Sequence, residues 1–183
     1  MSFQPNLFAG KSVVVTGGTS GIGASTAAYL ADLGARVSAV GLDARGAQAP
    51  RHAGVACTEL DVGDLRGLDR LLGEMGRVDA LINCAGISLD REEYSPESFA
   101  RVIEVNLTSV MNACNRAIPY LAQHQGCVVN VASMFSFFGS ADRPAYAASK
   151  GRWCKGKTHL YDLRIVDNNG NKVITPEGKM TLL

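Results

Sequence analysis

The chain has 183 residues, of which 46% are hydrophobic and 19% are charged, and its formal net charge is +1. This composition predicts a single folded domain and argues against long disordered segments. A net charge so close to zero gives no electrostatic reason to expect binding to nucleic acid or to an anionic membrane.

Signals for metal binding, export and membrane insertion are also missing from the sequence. The three histidines are far apart and lack the spacing of metal ligands, so we expect no metal site. The five cysteines are odd in number and form no Cys-x-x-Cys pair, which predicts free thiols in a reducing cytoplasm. No signal segment and no apolar run long enough for a membrane helix is visible, so we expect a soluble cytoplasmic protein.

Strand and helix patterns alternate over the first 150 residues. Short β-branched and apolar runs predict strands at 12–16, 36–40, 55–60, 78–83 and 127–132. Helical periodicity, with a Ser95-Pro96 start signal in one case, predicts helices at 24–33, 64–75, 96–105 and 107–123, the last disturbed at Pro119. Strands separated by helical crossovers predict an α/β fold, a Rossmann-type doubly wound parallel sheet with helices on both faces.

A glycine-rich turn lies between the first predicted strand and the first predicted helix. Gly17 lets the chain turn sharply, Gly21 lets the backbone approach phosphates, and Gly23 lets the helix pack close to the sheet. Thr19 and Ser20 add hydroxyl donors. In this strand–turn–helix context the turn predicts a binding site for the pyrophosphate of a dinucleotide. The predicted phosphate-binding residues are Gly17, Thr19, Ser20, Gly21, Ile22 and Gly23.

Three motifs together resemble the short-chain dehydrogenase/reductase family. The turn has the spacing Thr-Gly-x-x-x-Gly-x-Gly, and Asn83-Cys84-Ala85-Gly86 is similar to the family's Asn-Asn-Ala-Gly. Tyr146 and Lys150 are four residues apart, on one face of a helix, and Tyr146 follows Ser133 by the family's interval. The resemblance covers residues 8–150 and implies the compact, single-domain branch of this oxidoreductase family.

The resemblance implies four catalytic residues: Asn106, Ser133, Tyr146 and Lys150. Tyr146 would exchange a proton with the substrate oxygen, and the ammonium of Lys150 would favour its phenolate form. Lys150 would also hold the ribose of the cofactor. Ser133 would donate a hydrogen bond to the substrate oxygen. Asn106, at a local break in a helix, would hold a water that links Lys150 to solvent.

The resemblance also implies cofactor contacts beyond the glycine turn. Asp61 and Val62 would bind the adenine ring, and the remaining contacts are Asn83, Ala85, Gly86, Tyr146 and Lys150. An acidic residue near the end of the second strand favours NAD, whereas a basic residue favours NADP. Gly41 occupies the usual acidic position, Asp43 follows two residues later, and Arg45 is near enough to compete. We favour NAD over NADP because the glycine turn contains no Arg or Lys.

The predicted function is hydride transfer between NAD(P)(H) and a small ketone or alcohol. The alternatives are a nicotinamide-binding module without turnover and an inactive truncated fragment. An epimerase of the extended branch of the family is disfavoured, because that branch more often has Gly-x-x-Gly-x-x-Gly and Ala24 occupies the last position here. The aromatic segment 134–139 either walls an apolar substrate or packs against the fold.

The pattern changes after Lys150, where Lys and Asn become frequent. Residues 159–166 and 172–175 have strand character on either side of a turn-rich segment, which predicts a β-hairpin. We therefore predict an NAD(P)-binding Rossmann domain over 1–150 and an atypical tail over 151–183. The sheet would then be incomplete at its C-terminal end, and the homo-oligomer expected from the family becomes doubtful. We hypothesise that truncation, frameshift or gene fusion produced this tail.

Overall fold

A computed structural model of the protein describes residues 4–150. Its five strands are Ser12–Thr16 (β1), Arg36–Gly41 (β2), Val55–Glu59 (β3), Ala80–Asn83 (β4) and Cys127–Asn130 (β5). They form one parallel sheet in the order β3-β2-β1-β4-β5. The prediction of a hairpin in 151–183 falls outside the described residues.

The centre of the sheet is β1, whose five residues are all buried. Val13 is in register with Val37 of β2 on one side and with Ala80 of β4 on the other. Buried parallel strands are apolar on both faces, which explains the continuous Val13-Val14-Val15 run. Because the chain leaves β1 toward β2 and later returns to its other side as β4, the strand order reverses beside β1, and ligands of such sheets bind at this point.

Helices cover both faces of the sheet, so the predicted doubly wound α/β fold is confirmed. The helices are Gly21–Asp32 (α1), Leu65–Met75 (α2), Pro96–Ile103 (α3), Ser109–Gln123 (α4) and Pro144–Lys150 (α5). Two 3₁₀ helices span Asp90–Tyr94 and Met134–Ser136, and a π-helical segment, Glu104–Thr108, joins α3 to α4. Among the described residues, no helix has the length and apolar character needed to cross a membrane.

The two apolar cores differ in the size of their side chains. On one face, Val13 and Val15 contact the small residues Ala27 and Ala31 of α1. On the opposite face, Val14 packs with leucines of α2 and with Leu121 of α4. Alternate residues of β1 therefore point to opposite cores, as the pleat of a strand requires. The small residues let α1 lie close to the sheet, directly beside the glycine turn.

The structure corrects several predicted boundaries. Helix α1 begins at Gly21, three residues earlier than predicted, because the glycine turn continues directly into the helix. Strands β4 and β5 are shorter than predicted, starting at Ala80 and ending at Asn130. Helix α4 continues through the exposed Pro119, so the proline does not end the helix. The 3₁₀ helix before α3 was not predicted.

Candidate active site

The glycine turn has no room for side chains on its inner side. Gly17 has φ +66°, and a Cβ added to it would lie 2.7 Å from backbone atoms of Ala85. A Cβ on Gly23 would overlap the carbonyl oxygen of Gly17. Glycine at position 17 therefore lets the turn pass directly against the loop that follows β4, and glycine at position 23 lets the start of α1 pack against the turn.

The outer side of the turn is open. Ser20, Gly21 and Ile22 are exposed, and a Cβ on Gly21 would meet no atom within 4 Å. Ser20 is the N-cap of α1, but its side chain makes no capping hydrogen bond, and the first turn of α1 has no acidic residue. The amide of Gly21 donates to Gln48 Oε1 at 3.3 Å. Exposed backbone donors at the N-terminus of a twelve-residue helix fit a phosphate group.

Thr19 differs from its neighbour Ser20, because it is only 4% exposed. A Cβ on Gly41 would overlap Thr19 Oγ1, so the threonine hydroxyl lies directly over the end of β2. The threonine hydroxyl occupies the place of the first side-chain carbon that an acidic residue at position 41 would have. Asp43 is exposed, and its carboxylate turns toward Gly46. The packing of Thr19 thus explains why residue 41 is a glycine.

Beyond β3, Asp61 lies at the mouth of an open cavity of about 410 Å³. Its Oδ1 accepts from the amide of Gly63 at 2.8 Å, which fixes the carboxylate at the strand end. The cavity is also lined by Arg101 of α3 and Val105 of the π-helical segment. Val62 is half-buried and lines a separate small cavity nearer to β4.

The loop after β4 is held to β1 by a threonine that the sequence analysis did not single out. Thr16 Oγ1 accepts from the amides of Cys84 and Ala85 at 3.3 and 3.4 Å. Asn83 is 2% exposed and donates to Asn130 Oδ1 at 2.8 Å. Its own Oδ1 has no partner among residues 4–150. This acceptor is fully buried, beside the small cavity that Val62 also lines.

Asn106 lies in the π-helical segment, so the predicted local break in the helix takes this form. It is 3% exposed and bonds twice to Ile87, accepting from its amide and donating to its carbonyl, each at 2.8 Å. Its amide nitrogen also donates to Ser149 Oγ at 3.3 Å. These bonds join the helix break to the loop after β4 and to α5.

Lys150 lies at the meeting point of these elements. Its Nζ donates to the carbonyl of Val131 at 2.9 Å and lies 6.0 Å from the centre of the Tyr146 ring. A Cβ on Gly86 would lie 3.4 Å from Asn106 Oδ1 and 3.5 Å from Lys150 Nζ, so both polar atoms face the same glycine. Burial lowers the pKa of Lys150 from its ordinary value, an effect that Cys84 partly opposes. The ammonium is therefore a readier proton donor than a solvated lysine.

Ser133 caps the short 3₁₀ helix that follows β5. Its Oγ accepts from the amide of Phe135 at 3.3 Å, while its own amide donates to Ser136 Oγ at 3.1 Å. Because Oγ acts as an acceptor in this bond, the hydroxyl proton remains available for a further partner. Phe135 packs edge-on against the Tyr146 ring, with centroids 6.1 Å apart. Ser133 is thus linked to Tyr146 through Phe135, whose amide bonds to Ser133 and whose ring contacts the Tyr146 ring.

The structure brings Asn106 and Lys150 together at Gly86, with the Tyr146 ring 6.0 Å from Lys150 Nζ, and links Ser133 to Tyr146 through Phe135. Asp43 and Asp61 lie beyond the carboxyl ends of β2 and of the edge strand β3. In the aromatic segment after Ser133, Phe137 and Phe138 are 58% and 48% exposed. The segment therefore leaves much of its apolar surface uncovered within the described part of the chain.

Comparison with known proteins identifies the same family that the motifs resemble. The family model described as "short chain dehydrogenase" matches residues 11–155. The chain is 34% identical to D-threitol dehydrogenase of Mycolicibacterium smegmatis, over 77% of this chain and 59% of that protein. It is 31% identical to a 3-oxoacyl-[acyl-carrier-protein] reductase of Chlamydia trachomatis, over 79% of this chain and 64% of that protein.

Solved structures resemble the fold as well. The ligand-free aldohexose dehydrogenase of Thermoplasma acidophilum matches with a TM-score of 0.67 and 30% identity, covering 78% of this chain and 56% of that one. The chain spans less than two thirds of the length of each of these relatives. The family match ends five residues after Lys150, close to the point at which the motifs themselves end.

Proposed function

The chain belongs to the short-chain dehydrogenase family, and from that premise we propose that it transfers hydride between a nicotinamide cofactor and a ketone or alcohol. The observation that carries the proposal is the convergence of Asn106 and Lys150 at Gly86, with the Tyr146 ring 6.0 Å from Lys150 Nζ. Two groups suited to proton transfer, the phenol and the ammonium, thus lie near one hydrogen-bonding amide at the carboxyl end of the sheet, where ligands of such folds bind.

In this proposal a dinucleotide would lie across the carboxyl ends of the strands. The exposed amides at the start of α1 would hold the pyrophosphate. Asp61 and Val62, beside the open cavity after β3, would hold the adenine end. Asn83, Ala85 and Gly86, at the end of β4 and in the loop that follows, would lie along the middle. Lys150 would hold the ribose next to the nicotinamide. When bound, the nicotinamide supplies or accepts the hydride.

The chain's own residues would supply the proton and stabilise the charge that develops on the substrate oxygen. In the direction of reduction, Tyr146 would give its phenolic proton to the substrate oxygen. Ser133 would donate its remaining hydroxyl proton to the same oxygen and stabilise the charge that develops there. The lowered pKa of Lys150 favours release of a proton toward Tyr146. Asn106, at the π-helical break, would hold the water that returns the proton from solvent.

We extend the proposal to NAD as the preferred cofactor. Asp43 is exposed near the end of β2, and the glycine turn carries no Lys or Arg to attract a 2′-phosphate. Arg45 is exposed two residues later and is the group that opposes this preference.

Compartment and assembly belong to the same proposal. The cysteines at 57, 84, 114 and 127 are free thiols, which supports a reducing cytoplasm. Exposed apolar side chains on α4, Met111 at 39% and Ile118 at 53%, support the homo-oligomer that the family resemblance implies.

A thermal melt of the full chain tests the proposed function first. Saturating NADH, at about 100 times its dissociation constant, should add roughly 2.7 kcal/mol to the free energy of unfolding. NADPH at equal concentration should add less. Loss of NADH absorbance on addition of ketones would then establish turnover. Stabilisation without turnover for any ketone or alcohol would select a nicotinamide-binding module instead, and the absence of stabilisation would overturn both.

A further inference from the structure

A buried glutamate lies against the first turn of α5. Glu93, at 0% exposure, belongs to the 3₁₀ helix Asp90–Tyr94 between β4 and α3. Its Oε2 accepts from the amide of Tyr146 at 2.9 Å. Its Oε1 accepts from the amide of Leu89 at 3.0 Å and from Ser88 Oγ at 3.2 Å. Three donors from two separate parts of the chain therefore converge on one carboxyl group.

No cation accompanies this carboxyl group among the described residues. The ion pairs found in that part of the chain do not include Glu93. A carboxyl group removed from water without a counter-charge depends on its hydrogen bonds, and each of them is correspondingly costly to lose. A residue whose only task was to fill space here would be apolar. The backbone amides that donate to Glu93 explain why a glutamate occupies this buried position.

The amide of Tyr146 needs such an acceptor. It belongs to the first turn of α5, where backbone N–H groups have no partner inside the helix. Pro144 has no N–H, and the amide of Ala147 already donates to the carbonyl of Arg143 at 2.9 Å. Glu93 therefore bonds to the backbone of the residue that carries the reactive phenol.

Exposed contacts surround this buried one. Arg91 Nε lies 3.2 Å from Asp142 Oδ1, and Tyr94 OH donates to the carbonyl of Ala141 at 2.5 Å. The Arg91 and Asp142 side chains are 84% and 57% exposed, so solvent weakens their attraction. The 3₁₀ helix thus contacts both α5 and the chain before it. Of these contacts, only the one made by Glu93 comes from a fully buried side chain.

We propose that Glu93 is a positioning residue, which fixes the backbone at Tyr146 and thereby the place of its phenol relative to Lys150 and Ser133. The inference rests on the proposed function for its catalytic consequence. The Tyr146 ring is held on one side by the edge-on contact with Phe135, and Glu93 holds the backbone from which the ring extends. A displacement of about 1 Å in a reacting group lowers turnover by about 100-fold.

The test compares Glu93→Gln with the matched control Arg91→Gln in the full chain. Glutamine keeps the shape of Glu93 but has one acceptor oxygen for two backbone amides, so one amide loses its acceptor. We expect Glu93→Gln to lower kcat at least about tenfold, with KM and the NADH dissociation constant changed less than about threefold. Arg91→Gln removes an exposed contact of the same 3₁₀ helix and should leave kcat and KM unchanged. Equal kcat in the two variants would overturn the proposal.

Two measurements on the same proteins do not depend on turnover. With ¹³C-labelled tyrosines, assigned through Tyr146→Phe, the ring resonance of Tyr146 should move in Glu93→Gln and stay in place in Arg91→Gln. In the unmutated chain, the Tyr146 amide should exchange its hydrogen at least about tenfold more slowly than an unstructured amide. Exchange at the unstructured rate would overturn the inference even if Glu93→Gln failed to fold. A chain without turnover but with a protected Tyr146 amide would refute the proposed function and retain the role of Glu93 in fixing Tyr146.

Discussion

At the amino ends of β1 and β4, polar side chains bond to one another, whereas at the carboxyl end of the sheet several polar groups keep bonding capacity. Asp79, just before β4, accepts from Arg77 at 2.8 Å, from Lys11 at 3.1 Å and from the amide of Ser12 at 2.8 Å. Its side chain is 6% exposed. The hydrogen bonds from Arg77 hold the pKa of the Asp79 carboxyl well below its usual range.

The carboxyl ends have the opposite character. The hydroxyl proton of Ser133 remains available, the exposed side chain of Ser20 makes no capping hydrogen bond, and a Cβ on Gly21 would meet no atom within 4 Å. Satisfied polar groups stabilise a fold, while groups with spare capacity can bind a ligand. The comparison supports a division in which one end of the sheet serves stability and the other end is the one that we propose for chemistry.

The largest effect should come from Tyr146→Phe, at the chemical end. Removing the phenolic hydroxyl should lower kcat at least about 100-fold, because phenylalanine cannot transfer a proton. The free energy of unfolding should change by less than about 1 kcal/mol, and the stabilisation by NADH should persist. Steady-state kinetics and melts with and without NADH measure these quantities. Wild-type turnover in this variant would remove Tyr146 from the proposed mechanism.

Asp79→Asn, at the stabilising end, should show the reverse pattern. The free energy of unfolding at pH 7 should fall by about 2 kcal/mol, because the charge-assisted bonds to Arg77 and Lys11 are lost. Turnover per folded molecule should be unchanged. Urea denaturation and kinetics at low temperature provide the two measurements. A loss of kcat with intact stability would contradict the division between the two ends.

Acid should reduce the difference in the free energy of unfolding between the wild-type chain and Asp79→Asn. The folded-state pKa of Asp79 lies below its unfolded value of about 3.9, so its stabilising contribution is present above that pH. The contribution is lost as pH falls through the folded-state pKa. Urea denaturation from pH 7 downward should therefore give a constant difference between wild type and Asp79→Asn to about pH 5, and a shrinking difference below about pH 4. A difference that grew on acidification would contradict the lowered pKa.

The smallest effect is expected from Lys11→Ala. Lys11 is 46% exposed and makes one contact with Asp79, whose two bonds from Arg77 remain in the variant. The free energy of unfolding should fall by about 0.5 kcal/mol, since half-exposed ion pairs contribute little. The same urea series measures it. A loss as large as that in Asp79→Asn would show that Lys11, and not Arg77, is the principal partner of the carboxylate.

The sequence predicted the central strands well because their signals are local. The β-branched run of β1 is buried on both faces and ends in glycines, so its bounds were predicted without error. Ser95 and Pro96 likewise marked the start of α3, where Ser95 Oγ accepts from the amide of Ser98. The spacing of Tyr146 and Lys150 placed both on one helical face, and their ring–ammonium distance of 6.0 Å agrees with that placement.

Other features could not be predicted from local signals. Glu93 lies among the charged residues of 90–93, a pattern typical of a solvated surface, yet it is fully buried. Thr19 was predicted to present its hydroxyl with Ser20, but it packs over Gly41. In both cases the environment is supplied by residues distant in sequence, Tyr146 for Glu93 and Gly41 for Thr19.

By itself, the sequence determined the alternation of strands and helices, the glycine turn and the spacing of the Tyr-Lys pair, because each depends on residues within a few positions of one another. The tertiary structure alone decided that Glu93 meets the amide of Tyr146, 53 positions away, and that Asn106 meets Ser149, 43 positions away. Parallel crossovers bring distant loops to one end of the sheet. Hydrogen bonding and burial then depend on which loops meet there, and local sequence patterns do not record that.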